Sequence, residues 1–90
     1  MVHSKLISAK EILVQYSSQI DDFTNNYDAI EYLIDTIDYL TLGKIPCNYE
    51  VLSVILEDIL VTNSYHKSNE LTKVAVLISD VIKEVEICTK

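Results

Sequence analysis

The sequence predicts an all-α protein, an antiparallel up-down-up-down four-helix bundle formed as a single domain by residues 1–90. The chain has one glycine and one proline, Gly43 and Pro46, and they lie close together at its midpoint. The apolar segments on either side therefore run without a backbone breaker. In these segments apolar residues recur every three or four positions, which is the period of a helix face. Short connections then make consecutive helices antiparallel neighbours.

The first half of the chain is predicted to form two helices. The first runs from Ser4, its expected N-cap, to about Asp21. A turn at residues 24–26 separates it from the second helix, at about 27–42. Gly43 is then expected in the left-handed conformation that closes a helix. The inward stripes are Leu6, Ala9, Leu13, Tyr16 and Ile20, and then Ile30, Leu33, Ile34, Ile37 and Leu40.

The second half is predicted to form two more helices. Pro46 or Asn48 begins the third helix, and the polar run at residues 63–68 ends it. The fourth follows from about Asn69. Residues 74–78 also fit a buried strand, but a lone strand would have no partner for its backbone, so we interpret them as helix. The inward stripes are Leu52, Ile55, Leu56 and Ile59, and then Leu71, Val74, Ile78, Val81 and Val85.

Composition narrows the classes of function. Fourteen carboxylates against seven lysines give a net charge of −7, which opposes phosphate binding and makes nucleic acid a poor partner. No apolar run approaches the ~20 residues that span a bilayer, and Lys10 and Glu11 interrupt what would be a signal-peptide core. We expect a cytoplasmic protein, and peripheral association with a membrane stays open.

The residue inventory indicates no enzyme. His3 lies near a terminus and His66 in a predicted loop, neither with a nucleophile at helical spacing, so we predict no catalytic residue and no cofactor. Four carboxylates line one side of the second helix, but a hard cation needs ligands that converge from several elements. We interpret them as a solvated acidic face and predict no metal site: Asp28, Glu31, Asp35 and Asp38.

The two cysteines, Cys47 and Cys88, should lie at the same end of the bundle. They are too few for a disulfide scaffold and lack zinc-site spacing. We predict two free thiols.

Five residues are candidates for binding a partner. Tyr32 and Tyr39 fall on the polar side of the second helix, where a ring either meets a partner or lies along the seam with a neighbouring helix. Tyr65, His66 and Lys67 are predicted at an exposed hairpin tip, where loops often carry recognition. The alternative for this tip is a polar connector with Tyr65 folded onto the bundle end. Val54 and Val61 form a weaker exposed pair on the third helix.

The middle and end of the chain resemble a known family. The pattern Tyr39-Leu40-x-x-Gly43-x-x-Pro46, then Val51-Leu52-x-x-Ile55-Leu56-x-x-Ile59, then Leu71-Thr72-Lys73, is similar to that of the immunity proteins of pediocin-like bacteriocins, the enterocin A immunity family. The likeness covers about residues 30–87. It implies a cytosolic antiparallel four-helix bundle, without cofactor, that protects a bacteriocin-producing bacterium.

The resemblance also implies a partner, the membrane mannose permease when bacteriocin occupies it. The C-terminal half governs recognition in that family, which corresponds here to Pro46–Lys90. Two other hypotheses stay open. One is a phage- or plasmid-type inhibitor whose acidic face mimics nucleic acid. The other is a helical adaptor that docks through Tyr32 and Tyr39.

Overall fold

The computed structural model describes residues 2–20 and 27–89, and in these residues it contains four α-helices and no β-strand. Helix α1 covers Val2–Gln19, α2 Tyr27–Thr41, α3 Tyr49–His66 and α4 Asn69–Thr89. Residues 74–78 are helical, so the strand interpretation is excluded. The turn expected at residues 24–26 and the expected end of the first helix at Asp21 lie outside the described residues.

Two predicted helix ends are wrong. Helix α1 begins at Val2, so Ser4 lies inside its first turn and is not an N-cap. Helix α3 continues through the polar run to His66. Its polar side chains find local partners: Ser64 Oγ donates to the Val61 carbonyl at 2.5 Å, and Asn63 Nδ2 donates to Thr72 Oγ1 at 3.1 Å. The apolar pattern therefore stops before the helix does, because the last residues of α3 are mostly polar.

Gly43 ends α2 as predicted. Its φ of +74° places it in the left-handed region. The Lys44 amide donates to the Tyr39 carbonyl at 2.9 Å, and the Gly43 amide donates to the Leu40 carbonyl at 3.2 Å. These two bonds form a Schellman motif, which satisfies carbonyls that the helix end leaves unpaired. The Lys44 ammonium also lies 5.5 Å from the centre of the Tyr39 ring.

Asn48, and not Pro46, begins α3. Asn48 has extended backbone angles, and its side chain accepts a hydrogen bond from the Val51 amide at 3.0 Å, as an N-cap does. Pro46 lies two residues earlier, in the connection, where its ring disfavours the helical conformation of the preceding residue, Ile45.

A two-residue connection joins α3 to α4. Lys67 caps α3 in the left-handed conformation, with a φ of 51°. Ser68 Oγ accepts hydrogen bonds from the amides of Glu70 and Leu71, at 3.1 and 3.4 Å, and so caps α4. The same hydroxyl donates to the Glu70 carboxylate at 2.7 Å, and this bond lowers the pKa of Glu70. Both helix ends are thus satisfied within a very short turn.

The core consists of the predicted stripes. Among the described residues, every buried apolar side chain belongs to the predicted set, and Ile20, Ile34, Leu56 and Val85 pack against them in part. The buried side chains are Leu6, Ala9, Leu13, Tyr16, Ile30, Leu33, Ile37, Leu40, Leu52, Ile55, Ile59, Leu71, Val74, Ile78 and Val81.

The helices enclose this core unevenly, in an arrangement consistent with a bundle. Helix α1 packs against α2 and α4, and α4 packs against α3. Helices α2 and α3 also touch, but through far fewer residues than the other three pairs. The side of the molecule between α2 and α3 is therefore the least closed.

Candidate functional site: the groove between α2 and α3

The open side contains a groove of about 380 Å³. Its floor is formed by the buried side chains of Leu33 and Thr62. Its walls carry two large exposed rings, Tyr32 from α2 at 60% exposure and Tyr65 from α3 at 66% exposure. The full lining is Ala29, Tyr32, Leu33, Asp58, Val61, Thr62 and Tyr65. We call this the α2–α3 groove.

Helix geometry explains why these residues share the groove. On α2, Ala29, Tyr32 and Leu33 are three or four positions apart and so lie on one face. On α3, Asp58, Val61, Thr62 and Tyr65 follow the same spacing. The small side chain of Ala29 leaves space between the helices. The groove is thus built on two helices and not on a loop.

The structure brings together two residues that were predicted as separate candidates. Tyr32 and Tyr65 are 33 positions apart in the sequence and line the same groove. Tyr32 lies along the seam with α3, which was one of the two alternatives for this residue, but it is still largely exposed. Val61, from the weaker pair on the third helix, is exposed between them.

The predicted hairpin tip is wrong for two of its three residues. Tyr65 and His66 belong to the last turn of α3. The His66 ring turns toward α1, where Nδ1 shares a 2.8 Å hydrogen bond with the Tyr16 hydroxyl and the two rings meet edge to face, with centroids 5.6 Å apart. Only Lys67 lies in the connection, as an exposed cap residue. His66 is therefore a structural contact between helices.

Tyr39 also has a structural role. It lies two turns after Tyr32 on α2 and is partly exposed, but it is not part of the groove lining. Lys44 covers its ring in a cation–π contact at the end of α2. This contact shows that a tyrosine on this surface accepts a cation.

The charge of the molecule is concentrated on the two helices that form the groove. Helix α2 carries four carboxylates, α3 carries three, and neither helix contains a lysine or an arginine. These helices therefore account for the whole formal charge of −7, because seven lysines balance the other seven carboxylates. Sequence analysis missed this asymmetry, and counting charge helix by helix would have found it.

These carboxylates are mostly unpaired. Asp38 forms an ion pair with Lys10 of α1 at 2.6 Å. Within residues 2–20 and 27–89, no ion pair involves the groove residue Asp58 or the exposed carboxylates Asp28 and Asp35 of α2. The groove thus combines exposed aromatic surface with uncompensated negative charge.

A second groove, of about 410 Å³, lies between α3 and α4. Its lining includes Tyr49 and Leu60, together with Lys83, Glu57 and Glu86. Charges of both signs meet there, so it lacks the uniform negative character of the α2–α3 groove. It supplies control positions for the experiments below.

Metal-binding residues, membrane spans and thiols were the other features considered in the sequence. The described residues include no cluster of three or more metal-binding side chains, and none of their helices is both long and apolar enough to cross a bilayer. Cys47 is a half-buried free thiol, and burial raises its pKa. The side chain of Cys88 lies outside the described residues, so its state stays a prediction.

Comparison of the chain with protein-family models, with curated proteins and with solved structures found no match.

Proposed function

We propose that this protein acts without catalysis, by binding another protein at the α2–α3 groove. The observation that carries this proposal is the pair of exposed rings, Tyr32 and Tyr65, on opposite walls of one groove. Tyrosine offers a large contact area with a polar group, and it is enriched where proteins bind each other. Because both rings stand on helices, the binding surface is held in place before the partner arrives.

The biological role that we propose is immunity to a pediocin-like bacteriocin. It rests on the resemblance around Gly43, Pro46 and the last helix. In this role the protein works in the cytoplasm of the producing cell, and its partner is the mannose permease with bacteriocin bound. Tyr65 and Val61 place part of the groove within residues 46–90, the half that carries recognition in that family.

The proposal includes an up-down-up-down order of the helices. Two contacts support it. Lys5, early in α1, pairs with Glu84, late in α4, at 3.4 Å. Tyr16, in the last turns of α1, meets His66 at the end of α3. In an alternating bundle the ends of α1 and α3 lie together, and the start of α1 lies near the end of α4.

Expression in a sensitive lactic-acid-type bacterium tests the proposed role. Made inside the cell, the protein should confer resistance to one or a few peptides of a pediocin-like panel, and added outside it should have no effect. Exchange of residues 46–90 with the matching hairpin of an immunity protein should change which peptides are resisted. Exchange of residues 1–42 replaces the α2 wall of the groove, including Tyr32, so it should weaken resistance without changing which peptides are resisted.

Two controls make the result decisive. Tyr49→Ala removes a tyrosine of similar exposure, 52%, from the other groove and should leave resistance unchanged. Circular dichroism and immunoblotting establish that each variant is folded and abundant. Absence of resistance across the panel, with folded and abundant protein, would refute the immunity role.

A second candidate function follows from the charge distribution. An acidic inhibitor of a nucleic-acid-binding enzyme needs carboxylates gathered on one side, and α2 and α3 carry the whole net charge. Neutralising Asp28 and Asp35 together would abolish inhibition by such a mimic. Under this alternative Tyr32→Ala would have little effect, because the carboxylates and not the rings would make the contacts.

A further inference from the structure

We infer that the α2–α3 groove binds a cationic amphipathic helix, whose apolar face enters the groove while its lysines or arginines meet the acidic rims. This inference deepens the proposed function and rests on it, because it requires that the protein acts by binding a protein segment. Three features of the groove and its surroundings support it: the length of the apolar surface, its charge, and a contact between a cation and a tyrosine on α2.

The apolar surface is long enough for a helix. Beyond the groove lining, Tyr39 follows Tyr32 by seven residues on α2, and Val54 precedes Val61 by seven residues on α3. All four side chains are exposed, although Lys44 lies 5.5 Å from the centre of the Tyr39 ring. Seven residues advance a helix by roughly 10 Å, or two turns. A helix that docks in a groove uses anchors at positions i, i+3 or i+4, and i+7, which span the same distance.

The negative charge around the groove indicates which kind of segment binds there. Asp58 lies in the lining, and Asp28 and Asp35 stand exposed on α2, four residues before and three residues after Tyr32. These carboxylates repel nucleic acid and anionic lipid surfaces. They also disfavour a second copy of this chain, whose own groove carries the same charge. A segment that is apolar on one side and positive on its flanks matches both features.

The Lys44–Tyr39 contact is an example, outside the groove lining, of a cation placed against a tyrosine ring of α2. The ammonium lies 5.5 Å from the ring centre, at the end of the same helix that carries Tyr32. The exposed rings of Tyr32 and Tyr65 have no such cation among the described residues. Each can accept a lysine or arginine of the partner, with a neighbouring carboxylate as a second point of attraction.

Designed peptides test the inference directly. We would titrate the full chain with a panel of 18-residue amphipathic helices that place leucine or phenylalanine on one face and lysine on the flanks. A matched panel replaces each lysine with glutamate. Calorimetry should detect binding by members of the lysine panel only, with affinity that weakens as salt increases. Amide shifts in NMR spectra should change at Ala29, Tyr32, Val61 and Tyr65.

Matched variants distinguish the groove from general charge attraction. Tyr32→Ala and Tyr65→Ala should each weaken binding about tenfold, as central aromatic residues of an interface do. Asp58→Asn should weaken it in the same direction. Tyr49→Ala and Asp80→Asn, which make the same chemical changes elsewhere, should leave the affinity within about twofold.

Three results would overturn the inference: no binding by any lysine peptide, equal binding by the glutamate panel, or equal loss in the groove and control variants. A dimer in sedimentation experiments that Tyr32→Ala and Tyr65→Ala dissociate would assign the groove to a second copy instead. Protection of cells without peptide binding would leave the proposed function standing and refute only this inference. Peptide binding without protection would refute the immunity role and leave standing both this inference and the proposal that the protein acts by binding another protein.

Discussion

The two left-handed helix caps allow a sharp test of the fold. Gly43 and Lys67 both have positive φ, 74° and 51°, at the ends of α2 and α3. A side chain in this conformation costs roughly 1–2 kcal/mol, because Cβ approaches the following carbonyl. A Cβ added at Gly43 would meet no other atom within 4 Å. The cost of Gly43→Ala therefore comes from the backbone conformation alone.

The expected loss of folding stability in Gly43→Ala is the difference between two opposing effects. Alanine also restricts the unfolded chain, which offsets the strain by about 0.4–1 kcal/mol. The free energy of unfolding should therefore be about 1 kcal/mol higher with glycine at position 43 than with alanine. The same difference is expected between Lys67→Gly and Lys67→Ala, and because both remove the lysine charge, their difference isolates the conformation.

Urea denaturation followed by circular dichroism measures these free energies of unfolding. Val76, exposed in the middle of α4, provides the control position. There Val76→Ala should be more stable than Val76→Gly by about 1 kcal/mol, because glycine disfavours a helix interior. Glycine should thus give the more stable protein at positions 43 and 67, and alanine the more stable protein at position 76. Equal stability of glycine and alanine at positions 43 and 67 would refute the assigned caps.

Three further predictions concern the core, the α4 cap and the free thiol. Ile78→Ala should lower the free energy of unfolding by ~2–5 kcal/mol because it leaves a cavity, and a loss below ~1 kcal/mol would contradict the inward face of α4. Ser68→Ala should cost about 1 kcal/mol by removing the N-cap, and it should raise the pKa of Glu70, which Ser68 holds down. Because the pKa of Glu70 is lowered in the folded protein, its carboxylate stabilises the fold above the ordinary pKa of glutamate, and this effect is lost as pH falls through the folded pKa. Below about pH 4, Ser68→Ala should therefore lose less stability on acidification than the wild type does. Urea titrations at each pH measure this difference. Cys47 should react with iodoacetamide more slowly than free glutathione near neutral pH, because burial raises its pKa, and mass spectrometry of unreduced protein showing a Cys47–Cys88 bridge would contradict the free-thiol prediction.

The core could be predicted from sequence because it depends on local periodicity. Ile30, Leu33 and Ile37 share a face at the helical period whatever packs against them. The end of α3 could not be predicted in this way. Asn63 is a common turn residue, but here its side-chain carbonyl accepts the Ser68 amide at 2.7 Å, and this partner appears only once α4 is in place.

The candidate site was predictable residue by residue but not as an arrangement. Exposure of Tyr32 follows from its place on the polar side of α2. Its position opposite Tyr65 depends on the small contact between α2 and α3, which no local pattern encodes. The contact of His66 with Tyr16 could not be predicted for the same reason, since the two residues lie 50 positions apart.

In the proposed immunity role, Tyr32 and Tyr65 form the surface that binds the partner. The most direct test is bacteriocin resistance in cells that express the wild type, the doubly substituted Tyr32→Ala/Tyr65→Ala variant, or Tyr49→Ala at equal protein levels. We predict resistance with the wild type and Tyr49→Ala, and sensitivity with the double variant while its circular dichroism spectrum and melting temperature stay close to those of the wild type. Full resistance with the folded double variant would contradict the account.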